Sequence, residues 1–238
     1  MVLGYSALLA SVAGFVNAVA LLVLAFPVGN LTGVTTQLGM NTANPWLYEG
    51  HVLTAILFGF LTGTAAAGAI LARTQVQTGR RHATVLVAEA VLLLLAAAGV
   101  EDVSVKAVIA ASGIEQTVVQ ALLAAAALGL QNGLTSSFHG MAIRTTHFTG
   151  TVTDLGLMLG RSRSHGIDRW KAAVLVATLV LFLTGGVAGV LAGARLGGYA
   201  LIVPAAICAA VAGVSVLHRR TPPTTTAPDP VPATAQDR

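Results

Sequence analysis

Thr32-Gly33-Val34-Thr35-Thr36-Gln37-Leu38-Gly39 and Thr149-Gly150-Thr151-Val152-Thr153-Asp154-Leu155-Gly156 share the pattern Thr-Gly-x-x-Thr-x-Leu-Gly at an offset of 117. Two flanking matches keep nearly the same spacing. Gly14-x-x-Asn17 pairs with Gly129-x-x-Asn132 at 115, and Phe60-Leu61-Thr62-Gly63 pairs with Phe182-Leu183-Thr184-Gly185 at 122. Three collinear matches indicate a duplicated unit. In a membrane chain, paired polar or glycine-interrupted segments in the two halves point to a binding site.

The composition is that of a membrane chain. Apolar residues make up 55% and charged residues 9%, with a mean hydropathy of +0.80. A soluble domain carries roughly 25% charged residues, so this chain cannot cover a water-facing surface. The net charge of +4 and pI of 9.8 do not mark a nucleic-acid binder. The basic residues sit in short loops between apolar runs, where membrane orientation requires them, and aromatics are only 5%. A single cysteine, Cys208, excludes an intrachain disulfide or a cysteine cluster for a metal. Ala18-Val19-Ala20 resembles a cleavage site, but the N-terminus lacks a basic region and the apolar run continues to Phe26. That run is read as a retained span.

Six runs can cross the hydrocarbon core, at 5–26, 51–72, 83–99, 117–138, 170–193 and 198–217. Arg73, Arg80 and Arg81 follow the second run. Arg144, Arg161, Arg163, Arg169 and Lys171 follow the fourth, and Arg219, Arg220 and Arg238 follow the sixth. Only Lys106 and Arg195 fall on the other side. This predicts a multi-pass inner or plasma membrane protein with both termini cytoplasmic. The expected fold is all-α: six transmembrane helices as two inverted three-helix repeats, residues 1–99 and 100–217. Each repeat carries a Thr-Gly re-entrant or broken helix. The Pro- and Thr-rich tail, 218–238, is predicted to be disordered.

Thr32 and Thr36 are four apart, as are Thr149 and Thr153, so each pair shares a helix face. Gly33 and Gly150 permit close backbone approach. Two readings are open: short re-entrant helices whose N-termini meet near the midplane, or amphipathic helices lying in the two interfaces. The copies diverge at polar positions, with Asn30 matching His147 and Gln37 matching Asp154. His147 and Asp154 are either a proton relay or hydrated groups at the interface. Asn17, Asn132, Gln131 and Gln120 are amides within spans. They serve interhelical hydrogen bonding or line a solute path. Glu89 lies in the middle of a span, either as a coupling site or as a protonated hydrogen-bond donor. Its equivalent, Val211, is apolar.

No nucleophile elbow, zinc-protease motif or phosphate loop is present, so neither an enzyme nor a cofactor site is expected. Gly129-Leu130-Gln131-Asn132, with Arg144-Thr-Thr-His-Phe-Thr-Gly-Thr-Val-Thr-Asp-Leu-Gly156, resembles the YoaK family of bacterial inner-membrane proteins, a domain of unknown function. The resemblance spans nearly the whole chain except the tail. The first half departs from the family's pattern, with Asn17 where an Asp is usual and Val34 where an Asn is usual. The resemblance implies a multi-span membrane protein and supplies no substrate. The repeat argument then points to a transporter or channel for a small polar solute, set in the lipid bilayer without nucleic-acid partners. A membrane scaffold or sensor is the alternative.

Overall fold

A computed structural model describes residues 2–72, 79–137, 145–162 and 166–217. The described residues are all-α. In chain order they form α1 (Val2–Leu24), α2 (Leu31–Ala43), α3 (Gly50–Leu71), α4 (Arg80–Glu101), α5 (Val103–Ala111), α6 (Gln116–Ser136), α7 (Phe148–Gly160) and α8 (Arg169–Leu196). A 3-10 turn, Gly197–Leu201, then leads into α9 (Ile202–Leu217). The predicted tail and Arg73, Arg144 and Arg163 lie outside the described residues.

Among the described residues, five helical stretches are long and apolar enough to cross a membrane: Ala7–Leu24, Gly50–Leu71, Arg80–Glu101, Gln116–Ser136 and Arg169–Leu217. The sequence reads six, because the runs 170–193 and 198–217 fall within the last stretch. Gly197, at φ +57°, interrupts that stretch. The third run, read as 83–99, forms a helix of 22 residues. Arg80 and Glu101 end the apolar run but not the backbone hydrogen bonding. Helix α5 was not anticipated. Asp102 caps it, its Oδ1 accepting from the N–H groups of Ser104 and Val105 at 2.9 and 3.0 Å.

Glycines set the packing. Helices α3 and α6 run side by side in one direction. Gly59 meets Leu122, Gly63 meets the Ala126 carbonyl, Gly129 meets the Phe60 carbonyl, and Gly133 meets Ala67. Helices α1 and α8 do the same. Ser11 meets Gly185, Gly14 meets the Phe182 carbonyl, Phe15 and Ala18 meet Gly189, and Leu22 meets Gly193. Without Cβ atoms the backbones approach closely, and dispersion contacts accumulate along the seam.

The two seams use equivalent residues. Adding 115 to a position in α1, and 122 to one in α3, turns one seam into the other. Gly14 on Phe182 repeats as Gly129 on Phe60, Ser11 on Gly185 as Ala126 on Gly63, and Ala18 on Gly189 as Gly133 on Ala67. The third contact keeps its geometry with the glycine and alanine exchanged. Helix α4 packs against α6 and α9. The Glu101 Oε1 accepts from the N–H of Gly198 at 2.5 Å, joining the end of α4 to the 3-10 turn. On α3, Val52, Ile56, Gly59, Gly63 and Ala67 face inward, while Phe58 and Leu61 are exposed. That is the pattern of a helix with one protein face and one apolar outer face.

Candidate functional site

Helix α1 ends at Leu24, and Ala25 adopts φ +63°, which turns the chain back. A turn from Pro27 to Asn30 follows, with the Asn30 N–H donating to the Pro27 carbonyl at 3.2 Å. The Gly29 N–H then donates to Asn17 Oδ1 at 2.8 Å. Asn17 lies seven residues before the end of α1, roughly 10 Å along a helix of 1.5 Å rise. The chain has therefore come back alongside the body of α1 before α2 starts.

The second half makes the matching connection. Thr146 Oγ1 donates to Asn132 Oδ1 at 3.3 Å, and the Asn132 Nδ2 donates to the Leu128 carbonyl at 2.9 Å. Helix α7 starts two residues later. Helices α2 and α7 are 13 residues each and begin at equivalent positions. Asn30 caps α2, its Oδ1 accepting from the Gly33 N–H at 3.1 Å. His147 occupies the same position on α7 and offers no capping hydrogen bond.

Both N-termini open onto one cavity of about 650 Å³. Its wall consists largely of equivalent residues: Asn17 with Asn132, Gly29 with Thr146, Asn30 with His147, Leu31 with Phe148, Thr32 with Thr149, and Phe60 with Phe182. Thr64, Gly133 and Ser136 complete it. The Phe148 and Phe182 rings lie 4.3 Å apart, centroid to centroid, and are tilted by 53°. Phe60 and Phe182 sit near the middles of α3 and α8.

Of the residues singled out in the sequence, Asn17, Asn30, Thr32, Asn132, His147 and Thr149 come together here. Gly33 and Gly150 lie directly behind the wall, against the Asn30 and His147 side chains. Thr36 and Thr153 point their hydroxyls back to the carbonyls of Thr32 and Thr149, at 2.9 and 2.8 Å. Gln37 is not in the wall, and its Oε1 has no partner among the described residues. Asp154 pairs with Lys171 at 3.3 Å in a separate cleft shared with Met158, Arg161 and Asp168. The wall contains His147 but not Asp154.

Gln131 is fully buried outside the cavity. Its Nε2 donates to the Leu9 carbonyl at 2.6 Å and to Thr145 Oγ1 at 3.0 Å, tying α6 to α1. Glu89 is also fully buried away from the cavity, facing Cys208 and Tyr5. Thr62 and Thr184, from the third repeated match, bond to carbonyls of their own helices. Gly29, Phe60, Thr146 and Phe182 are wall residues that sequence reasoning did not select. Phe60 and Phe182 belong to the third repeated match. Gly29 and Thr146 each precede a selected residue by one position.

A family model described as "Protein of unknown function (DUF1275)" matches residues 5–214. No curated protein and no solved structure matches the chain.

Proposed function

The chain belongs to the DUF1275 family, whose description assigns no activity, and from its site we propose that it is a transporter or channel for a small polar solute. The solute site is the cavity between the two Thr-Gly segments. One observation carries this reading: two short helices, one from each half, direct their N-termini into the same cavity, whose wall includes Phe60 and Phe182 from the middles of α3 and α8. A helix N-terminus presents unpaired N–H groups and the positive end of the helix dipole. Paired in this way inside a membrane, two such ends form a polar site where lipid would otherwise exclude one.

The reading includes six crossings, with α8 and α9 as separate spans, arranged as inverted repeats 1–99 and 100–217. Alternating crossings require the first and fifth spans to be parallel, and likewise the second and fourth. The seams α1 with α8 and α3 with α6 have that sense. The exchange of equivalent residues between the seams is the relation an inverted duplication produces. The Lys and Arg distribution supports cytoplasmic termini, and the YoaK resemblance supports a bacterial inner membrane.

Purified protein in lipid vesicles, assayed for uptake of a panel of small ions and polar solutes, tests the proposal. Parent protein should move at least one solute faster than empty vesicles, and Gly150→Leu should abolish that flux. If the parent moves none, the transport reading fails and a scaffold or sensor takes its place.

A further inference from the structure

The uncommitted hydrogen-bonding capacity of the cavity wall leans toward donors. Asn17 Oδ1 accepts from the Gly29 N–H at 2.8 Å, and Asn30 Oδ1 accepts from the Gly33 N–H at 3.1 Å. A backbone N–H can only donate, so these bonds fix which end of each amide is oxygen. Asn132 is fixed from its other end, because its Nδ2 donates to the Leu128 carbonyl and its Oδ1 accepts from Thr146. All three amide oxygens are therefore engaged within the protein. The uncommitted donors are the NH2 groups of Asn17 and Asn30, with no acceptor among the described residues, and the second hydrogen of the Asn132 amide, a residue 6% exposed; each amide oxygen keeps one further lone pair.

The first turn of α7 adds to this excess. His147 supplies no capping acceptor, so the N–H groups of Phe148, Thr149 and Gly150 have no side-chain cap among the described residues. The hydroxyls of Thr32 and Thr149 can donate or accept and do not change the balance. Among the described residues, no Asp or Glu lines the cavity. Asp154 is paired with Lys171 elsewhere, and Glu89 is buried in a different part of the fold. A cation entering here would lose its hydration and find no carboxylate. An anion would find several donors beside the apolar rings of Phe60, Phe148 and Phe182, where charge-assisted hydrogen bonds are strong.

Resting on the reading of this cavity as the solute site, we infer that the solute is a small anion that accepts hydrogen bonds and that cations are excluded. Asn17→Asp is the informative variant. The new carboxylate still accepts from the Gly29 N–H, so the turn into α2 is kept. The free donor becomes a negatively charged acceptor.

The experiment has two arms, both on the full-length protein. Nitrate and formate are titrated calorimetrically into the detergent-purified parent and variant. In vesicles, fluxes of nitrate, formate, ammonium, guanidinium, urea and glycerol are compared. The parent should bind nitrate or formate, and Asn17→Asp should weaken that binding by about tenfold or more, as the loss of a charge-assisted hydrogen bond implies. If Asn17→Asp does not fold, Asn30→Asp carries the same test. Binding of the anions without any flux would sink the transport reading and leave the anion inference standing. Flux of a cation or neutral solute, with nitrate and formate neither bound nor moved, would overturn the anion inference and leave transport standing. Anion binding that is unchanged in Asn17→Asp and in Asn30→Asp would also overturn it.

Discussion

Gly189→Ala measures how tightly the α1–α8 seam is closed. A Cβ at Gly189 would sit 2.6 Å from the Phe15 carbonyl oxygen, 3.0 Å from its Cα and 3.2 Å from the Ala18 Cβ. Ordinary contact begins at 3.4 Å, so α1 and α8 must part by about 0.8 Å at this point. The obstacle is backbone on a buried seam and cannot swing aside. Overpacking of this kind costs about 1–3 kcal/mol. Alanine's better helix propensity returns at most about 1 kcal/mol. The net loss should lie near 1–2 kcal/mol, or a drop of roughly 2–8 °C in melting temperature at the usual 2–4 °C per kcal/mol for a chain of this size. Thermal unfolding in detergent reads it. Gly68→Ala is the control, since a Cβ there meets nothing within 4 Å, and it should melt at or above the parent. Gly14→Ala and Gly129→Ala, each facing a carbonyl on its seam, should lose at least as much as Gly189→Ala. If Gly189→Ala melts with Gly68→Ala, the seam is not closed on backbone and the glycine argument is wrong.

Gly150→Leu should leave insertion and melting near the parent but abolish flux. Its Cβ would come within 2.5 Å of the His147 Nε2, and the clash is relieved by displacing the exposed imidazole from the cavity wall; normal flux would refute this. Glu89→Leu should destabilise the protein by no more than about 1 kcal/mol, because the Cys208 thiol facing the carboxyl is a weak donor and burying the carboxyl itself costs free energy. A melting loss worth more than about 1 kcal/mol would show that the carboxyl holds a stronger partner. Reporters fused after Arg81 and at the C-terminal end should both report cytoplasm, and a periplasmic signal at either would refute the six-crossing arrangement.

Much of the fold was legible because membranes impose simple rules. Apolar runs marked the spans, and the repeated Thr-Gly pattern marked two short helices that start at equivalent positions. Helix ends were less legible, since hydropathy follows side chains whereas helices follow backbone bonding. Arg80, Arg81 and His82 therefore looked like a loop yet open α4. The Asp102 cap of α5 carried a signal that went unread, because a nine-residue helix is too short to count as a span. In the site, the periodicity argument selected whole helix faces. The cavity meets only the first turn of each short helix, so Thr32 and Thr149 line it while Thr36 and Thr153 do not. His147 and Asp154 share a face but lie seven residues apart, roughly 10 Å along the axis. Asp154 consequently reaches Lys171 instead of the cavity.

The residues that close the seams also build the wall. Gly14 rests on the carbonyl of Phe182, and Gly129 on the carbonyl of Phe60, while both phenylalanine rings face the cavity. Each Asn lies three residues, close to one turn, after its seam glycine, on α1 as Asn17 and on α6 as Asn132. The spacing Gly-x-x-Asn thus has a physical meaning that neither residue has by itself. The glycine brings a neighbouring helix into contact, and the asparagine one turn on holds the returning chain beside it. Repeating that unit in the second half places two helix N-termini against one space. The polar cavity is then a consequence of duplicated packing, and the anion preference inferred for it rests on a few amides whose oxygens already accept a bond within the protein.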